Sequence, residues 1–246
     1  MPWDILIRNA RILDGSGRAA SAGEIGVRGE QIGFVGASCT GAASLTIDVG
    51  GMAVCPGFID MHTHSDLMLL AEPSASAKLM QGVTTEVIGQ DGLSYAPVTD
   101  QSLAQSRADF KGINGDPPGL TWNWRSVGEF LDRFDRRTAV NVAMLAPHGN
   151  LRSAVAGMDD RPVSLSELAC MERLLERSLD DGAFGLSTGL TYAPCSYGDA
   201  KELTALCRIA GRRGGFFAPH LRSYGADMEA AVDEAIGVCE IGRAHV

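Results

Sequence analysis

The sequence predicts an α/β chain: about five βα units, the beginning of a parallel (β/α)8 barrel, preceded by a small N-terminal β-sandwich portion. Three observations carry this prediction. Through residue 50, apolar and polar residues alternate in short runs divided by glycine turns, the period of half-buried strands. From Cys55 the pattern becomes short apolar run, polar loop and amphipathic helical stripe, repeated, which is the order that builds a parallel sheet. Side chains able to bind a metal stand where three of the apolar runs end, and in such a sheet those ends open onto one face.

Residues 4–13 alternate and close on Asp14-Gly15-Ser16-Gly17, and residues 23–28 and 31–35 repeat the pattern around Gly29-Glu30. A sheet this small needs a partner layer to bury a face. Residues 54–61 form a nearly continuous apolar run, the pattern of a strand buried on both faces, ending at His62-Thr63-His64. Pro73-Ser74-Ala75-Ser76 opens a helix through Met80 closed by Gly82, and a second strand over 83–89 ends at Gln90-Asp91-Gly92. Residues 110–124, rich in Gly, Pro and Trp, read as an irregular loop; Trp122 and Trp124 are packing residues there or, in the other reading, part of a substrate-side lid.

Ser126 and Glu129 have capping-box spacing and start a helix through Phe134. The third strand, 139–145, ends in Pro147-His148-Gly149-Asn150. Ser164 and Glu167 cap the next helix, whose stripe Leu168, Met171, Leu175 and Leu179 marks a buried face before Gly182. Strand four, 183–187, leads into Thr188-Gly189-Leu190-Thr191-Tyr192. Asp199 and Glu202 open a helix carrying Leu203, Leu206 and Ile209; strand five, 216–218, ends at Pro219-His220-Leu221-Arg222; a last helix runs from about Asp227 through Ile236.

Composition narrows the function classes. With 45% hydrophobic and 21% charged residues in 246, the chain has an ordinary globular balance. A net charge of −9 with no concentrated basic run argues against nucleic-acid and anionic-membrane partners. Met1-Pro2-Trp3-Asp4 leads straight into a strand pattern, and no apolar run is long enough for a bilayer, so a cytoplasmic protein is expected. Six scattered cysteines without a C-x-x-C pair are expected to be reduced thiols.

In an extended segment, residues i and i+2 point the same way, so His62 and His64 can converge on one ion; two hydrogen-bonded, metal-free histidines are the other reading of so short a pattern. Asp91 after the second strand and His220 after the fifth complete the candidate ligands. Arg222 follows His220 by two and either orients a substrate carboxylate or forms a structural ion pair, while Tyr192 and His148 are candidate walls of a substrate pocket.

The string Pro56-Gly57-Phe58-Ile59-Asp60-Met61-His62-Thr63-His64-Ser65-Asp66 resembles the first-strand signature of the amidohydrolase superfamily, whose fold is a metal-bearing (β/α)8 barrel. Gly82-Val83-Thr84-Thr85 to Pro97, His148-Gly149-Asn150-Leu151-Arg152, the stretch 182–192 and Ala218-Pro219-His220-Leu221-Arg222 extend the likeness, over residues 4–240, to the D-aminoacylase (N-acyl-D-amino-acid deacylase) family. The resemblance implies an incomplete metal-dependent hydrolase barrel: residues 1–54 as the N-terminal part of a composite β-sandwich domain, and 55–240 as the first five βα units. It implies one or two Zn2+ ions, with His62 and His64 in a first site, His220 in a second and Asp91 bridging where the family usually has cysteine. A carboxylate is a harder ligand than a thiolate, which bears on metal number and preference.

The implied reaction is hydrolysis of the linear amide bond of a small-molecule substrate, an N-acyl-D-amino acid, by metal-activated water. The family's catalytic aspartate and a further histidine belong to later strands, so no catalytic residue is assigned. Other barrel amidohydrolases bridge their metals with a carboxylated lysine at the fourth strand, and residues 183–192 hold none, which disfavours cyclic-amide substrates. Residues 241–246 resemble a translated sequencing adapter, so they are expected to be a non-native tail, His245 is not offered as a ligand, and the chain is expected to be an N-terminal fragment inactive alone. A dipeptidase, a cyclic-imide hydrolase and a non-catalytic metal-binding barrel are the alternatives.

Overall fold

The computed structural model describes residues 2–243; His245, in the tail, lies outside them. The chain divides into two compact units, Met1–Gly57 and Phe58–Val246. In the first, strands β1 (Trp3–Ile12), β2 (Ser21–Arg28), β3 (Gln31–Gly36), β4 (Ala43–Asp48) and β5 (Ala53–Val54) form a single sheet of order β3-β2-β1-β4, with β5 also on β1. The hairpins β1–β2 and β2–β3 are antiparallel, and β4 and β5 lie parallel to β1. Ala10, Ile12 and Ile25 form a small core with Ile7, Val27, Val49 and Val54 around it. These residues build one sheet layer, and Ile32 (64% exposed), Val35 and Leu45 stay in solvent, as in a sheet whose partner layer is not among the described residues of this unit.

The second unit follows strand–helix grammar. Strand β6 (Phe58–Asp60), helices α1 (Met68–Ala71) and α2 (Ser76–Leu79), then β7 (Val83–Ile88) are followed by α3 (Asp100–Asn114) and α4 (Val127–Leu131). Next come β8 (Asn141–Met144), β9 (Ala146–Pro147), α5 (His148–Ala156), α6 (Leu165–Asp180), β10 (Gly185–Gly189), α7 (Ala200–Arg212), β11 (Phe216–His220) and α8 (Met228–Gly242). Two parallel sheets result, β6-β7-β8 and β9-β10-β11. The single run 141–147 serves both: it breaks at Leu145, whose N–H donates to the Ile88 carbonyl at 3.0 Å, while the Phe184 N–H reaches back to Met144 at 2.8 Å. Strands consecutive in sequence are therefore neighbours, and their C-terminal ends point one way.

The core of this unit combines apolar strand residues, Ile88, Met144, Leu186 and Phe217, with Leu151, Met171, Leu175 and Leu206 from the helices. Each fully buried side chain of this size contributes about 1.5–3 kcal/mol of transfer free energy. An aromatic row, Tyr95, Trp122, Trp124, Phe130 and Phe134, packs with successive centroids 5.1–5.5 Å apart. Trp124 is 1% exposed and its Nε1 donates to the Tyr95 carbonyl at 2.9 Å, which supports packing over a lid for this pair.

Four sequence expectations need correction. The run 54–61 is not one strand: Pro56-Gly57 interrupts it, Val54 pairs with β1, and Phe58 and Ile59 are more than half exposed because β6 has a pairing partner on one side only among the described residues. Phe110 begins no loop but lies within α3, which a Thr99–Ser102 capping box opens and Gly115, at φ +71°, closes. Its buried face mixes Leu103 with Ser102 and Ser106, so the stripe was too polar to read. Helix α5 starts at His148, where a loop was expected, and α8, expected from about Asp227 through Ile236, continues to Gly242. Among the described residues, no helix is long and apolar enough to cross a membrane.

Candidate metal centre

The candidate ligands meet on one carboxylate. His62 and His64, just past β6, each bring Nε2 to 3.1 Å from Asp91 Oδ2. His220, the last residue of β11, brings Nδ1 to 3.5 Å from Oδ1 of the same side chain, while its Nε2 lies 3.2 Å from Thr191 Oγ1. One ligand atom from each of His62, His64 and Asp91 falls within 4.8 Å of the others. Ligands about 2.0–2.2 Å from one ion lie about 3–4 Å apart, so small side-chain movements suffice to grip a divalent cation. The two oxygens of Asp91 address different histidines, a geometry that suits one ion or a bridged pair.

The backbone under Asp91 is built for this placement. Asp91 itself sits at φ +56°, ψ 27°, the left-handed region that costs a residue with a β-carbon about 1 kcal/mol or more. Its neighbours hold it there. The Gly92 N–H donates to Ser187 Oγ at 3.0 Å, Ser187 Oγ donates to the Gly89 carbonyl, and Tyr192 donates its hydroxyl to the Asp91 carbonyl at 2.8 Å. Gln90 Nε2 reaches the Met61 carbonyl at 2.6 Å, tying the turn to the histidine segment. A β-carbon on Gly89, at φ +73°, would strike the Leu145 carbonyl, so the turn after β7 also requires that glycine. The sequence reading missed Ser187 and Gln90; the one available signal was a hydroxyl inside an otherwise apolar strand.

Charge balance favours an ionised Asp91. Burial opposes ionisation, but the His64 hydrogen bond and the His62 and His220 imidazoles outweigh it and hold the carboxyl below its ordinary value. Reciprocally, the hydrogen bond to Asp91 raises His64 against the opposing effect of burial. Asp66 lies deeper; burial pushes its carboxyl up to about 6, and Ser94 donates to it.

The three candidate substrate residues have different fates. Tyr192 lines, with His64 and Asp91, a cavity of about 700 Å³ that opens beside the ligands. His148 does not: it is 0% exposed on the first turn of α5, with Nε2 2.6 Å from Glu202 Oε1, and it presents no surface to a ligand. Glu202 also takes Arg152 Nη1 at 2.5 Å, so the motif His148-Gly149-Asn150-Leu151-Arg152 supplies both cations of a buried ionic triad. Arg222 is likewise occupied: Nε and Nη2 hold Glu234 at 2.8 and 2.9 Å, and Nη1 and Nη2 donate to the Ser196 and Gly198 carbonyls. That is the structural ion pair, not a group free to bind a substrate carboxylate.

Comparison with known proteins shows what the chain is similar to. Residues 45–235 match the model of the amidohydrolase family. An N-acyl-D-glutamate deacylase of Alcaligenes xylosoxydans xylosoxydans is 36% identical over 96% of this chain and 47% of its own length. A D-aminoacylase of the same organism is 34% identical over 98% of this chain and 48% of its own length. The crystal structure of the N-acyl-D-glutamate deacylase from Bordetella bronchiseptica, complexed with zinc and a phosphonate mimic of the tetrahedral intermediate, superposes with a TM-score of 0.85 at 32% identity, covering 99% of this chain and 50% of that one. The chain thus spans about half the length of the curated relatives it matches. Because the matched stretch runs through every strand that carries a candidate ligand, the conclusion is direct: the chain belongs to the amidohydrolase family.

Proposed function

We propose that this chain forms the N-terminal half of a zinc-dependent hydrolase of linear amide bonds, acting on N-acyl-D-amino acids in the cytoplasm. In this reading the second unit is the first five βα units of a (β/α)8 barrel, and the sheet unit is one layer of a composite sandwich. The convergence of His62, His64 and His220 on the two oxygens of Asp91 carries the reading. The similarity to deacylases of N-acyl-D-amino acids supports the substrate class, and their double length supports the division into halves. Six free cysteines agree with a reducing compartment.

Imidazole and carboxylate are ordinary zinc donors, and this set offers three of one and one of the other. A zinc ion held by His62, His64, His220 and Asp91 would supply Lewis acidity, able to polarise an amide carbonyl and to lower the pKa of water so that hydroxide is available near neutral pH. The chain's own residues set the conditions. Asp91 remains anionic and ready to ligate, and the Ser187–Gly92 and Tyr192–Asp91 hydrogen bonds fix its direction without movement at the moment of binding. Tyr192 spends its hydroxyl on that brace, so it serves as a wall. The His62 side chain is 58% exposed, and no catalytic acid or base is assigned within the chain. Water is therefore not excluded, and the 246-residue protein alone is expected to bind zinc without turnover.

Two measurements test the reading. Calorimetric titration of the purified chain should show stoichiometric zinc binding that His62→Ala and Asp91→Ala abolish. The product of the genomic reading frame continued past Cys239 should release amino acid from N-acetyl-D-amino acids in a zinc-dependent way. A product that binds zinc but hydrolyses none of them would overturn the hydrolase assignment.

A further inference from the structure

The cavity beside the ligands lies between α3 and α5, and because His64 and Asp91 are in its wall, whatever fills it touches the metal centre. Its character is uneven. Leu93, Phe110, Ile113, Met158 and Pro194 give it apolar walls, and Asp109 is the charge that α3 contributes. No lysine or arginine is among the lining residues. The basic side chains of α3 are engaged elsewhere: Arg107 lies over the Trp122 ring at 4.2 Å and pairs with Asp116 at 2.9 Å, and Lys111 approaches the same aspartate at 3.8 Å. Gln105 donates to both oxygens of Asp109, at 2.8 and 2.9 Å, which fixes that charge in place.

A carboxylate on an arm reaching past the metal centre would leave water with no lysine or arginine in the lining to pair with and would meet Asp109. An apolar chain would instead cover Ile113 and Met158, which are 60% and 40% exposed at the cavity wall. We propose that this cavity receives an apolar, uncharged arm of an N-acyl amino acid, and that Asp109 turns acidic arms away. The inference rests on the hydrolase reading of the adjoining site and adds the class of substrate preferred. An acetyl group fills little of 700 Å³, so the occupant is a longer acyl chain or an aliphatic side chain, and the two sources separate by experiment.

Dissociation constants measured by calorimetry on the zinc-loaded protein make the test, because they require no turnover. N-acetyl- against N-hexanoyl-D-leucine varies the acyl arm; N-acetyl-D-alanine against N-acetyl-D-leucine varies the side chain; N-succinyl-D-leucine and N-acetyl-D-glutamate place an acid in each. One series should tighten by about fourfold per methylene, and the acid in that same arm should bind at least about tenfold more weakly than its apolar counterpart. Ile113→Glu should flatten the length dependence and Asp109→Lys should reverse the discrimination against acid, both at unchanged zinc affinity; both side chains are exposed, so the fold tolerates the changes. Affinity independent of length in both series, or either variant behaving like the parent, overturns the proposal. Zinc-dependent turnover with flat affinities would sink the cavity inference alone, whereas graded affinities without turnover in the product of the continued reading frame would sink the hydrolase reading alone.

Discussion

At the scale of single residues, Asp91 is held in a backbone conformation it does not favour by bonds that arrive from β10 and the turn after it. Its position depends on Ser187 and Tyr192 as much as on its own identity. Removing the hydroxyl in Ser187→Ala should therefore weaken zinc binding by roughly 10–100-fold, the usual consequence of losing a partner that orients a ligand. Calorimetric zinc titration checks this, and an unchanged affinity would show that the turn holds without it. The convergence of the candidate ligands was legible in the sequence because the strand-end pattern and the spacing of His62 and His64 bear directly on which way side chains point. The partners of His148 and Arg222 were not legible: Glu202 and Glu234 lie 54 and 12 residues away, and only packing brings such pairs together.

At the scale of elements, the His148–Glu202–Arg152 triad clamps α5 to α7 inside the core. Burial opposes protonation of His148, but the adjacent Cys195 and Glu202 outweigh it and raise the imidazole; burial opposes ionisation of Glu202, but His148 and Arg152 outweigh it and lower the carboxyl. The raised histidine gives stability that is complete below its ordinary 6.5 and fades as pH rises through the folded value. The lowered glutamate gives stability present above its ordinary 4.5 and lost as pH falls through the folded value. Thermal unfolding followed by circular dichroism should thus show a maximum between about pH 5 and 6.5, with a decline on both sides. Glu202→Gln should lower stability by about 3–5 kcal/mol at that maximum, since it leaves two buried cations without their anion, and should flatten both limbs. A variant with the parental melting temperature and profile would refute the clamp. Helices announced by Ser126, Ser164 and Asp199 appeared where their caps placed them. Helix α5 begins directly behind Pro147 without a side-chain cap, so nothing in its first turn signalled it.

At the scale of the whole molecule, each unit has its own core, and the order of parallel strands explains why two histidines 158 residues apart, His62 and His220, share one carboxylate. Sequence patterning conveyed that order, since helical segments separate the apolar runs that become successive parallel strands. It could not convey the exposure of Phe58 and Ile59, because an apolar run looks the same whether or not a neighbour lies beside it. In the two parallel sheets, β6 and β11 are terminal, each bonded to a neighbour on a single flank among the described residues. A row of amide hydrogens and carbonyls left bare beside apolar side chains is adhesive toward any extended peptide, another molecule of the same protein included. Raising the concentration should therefore drive lateral self-association, seen as a mass by light scattering that climbs with loading and falls when lysine replaces Ile59.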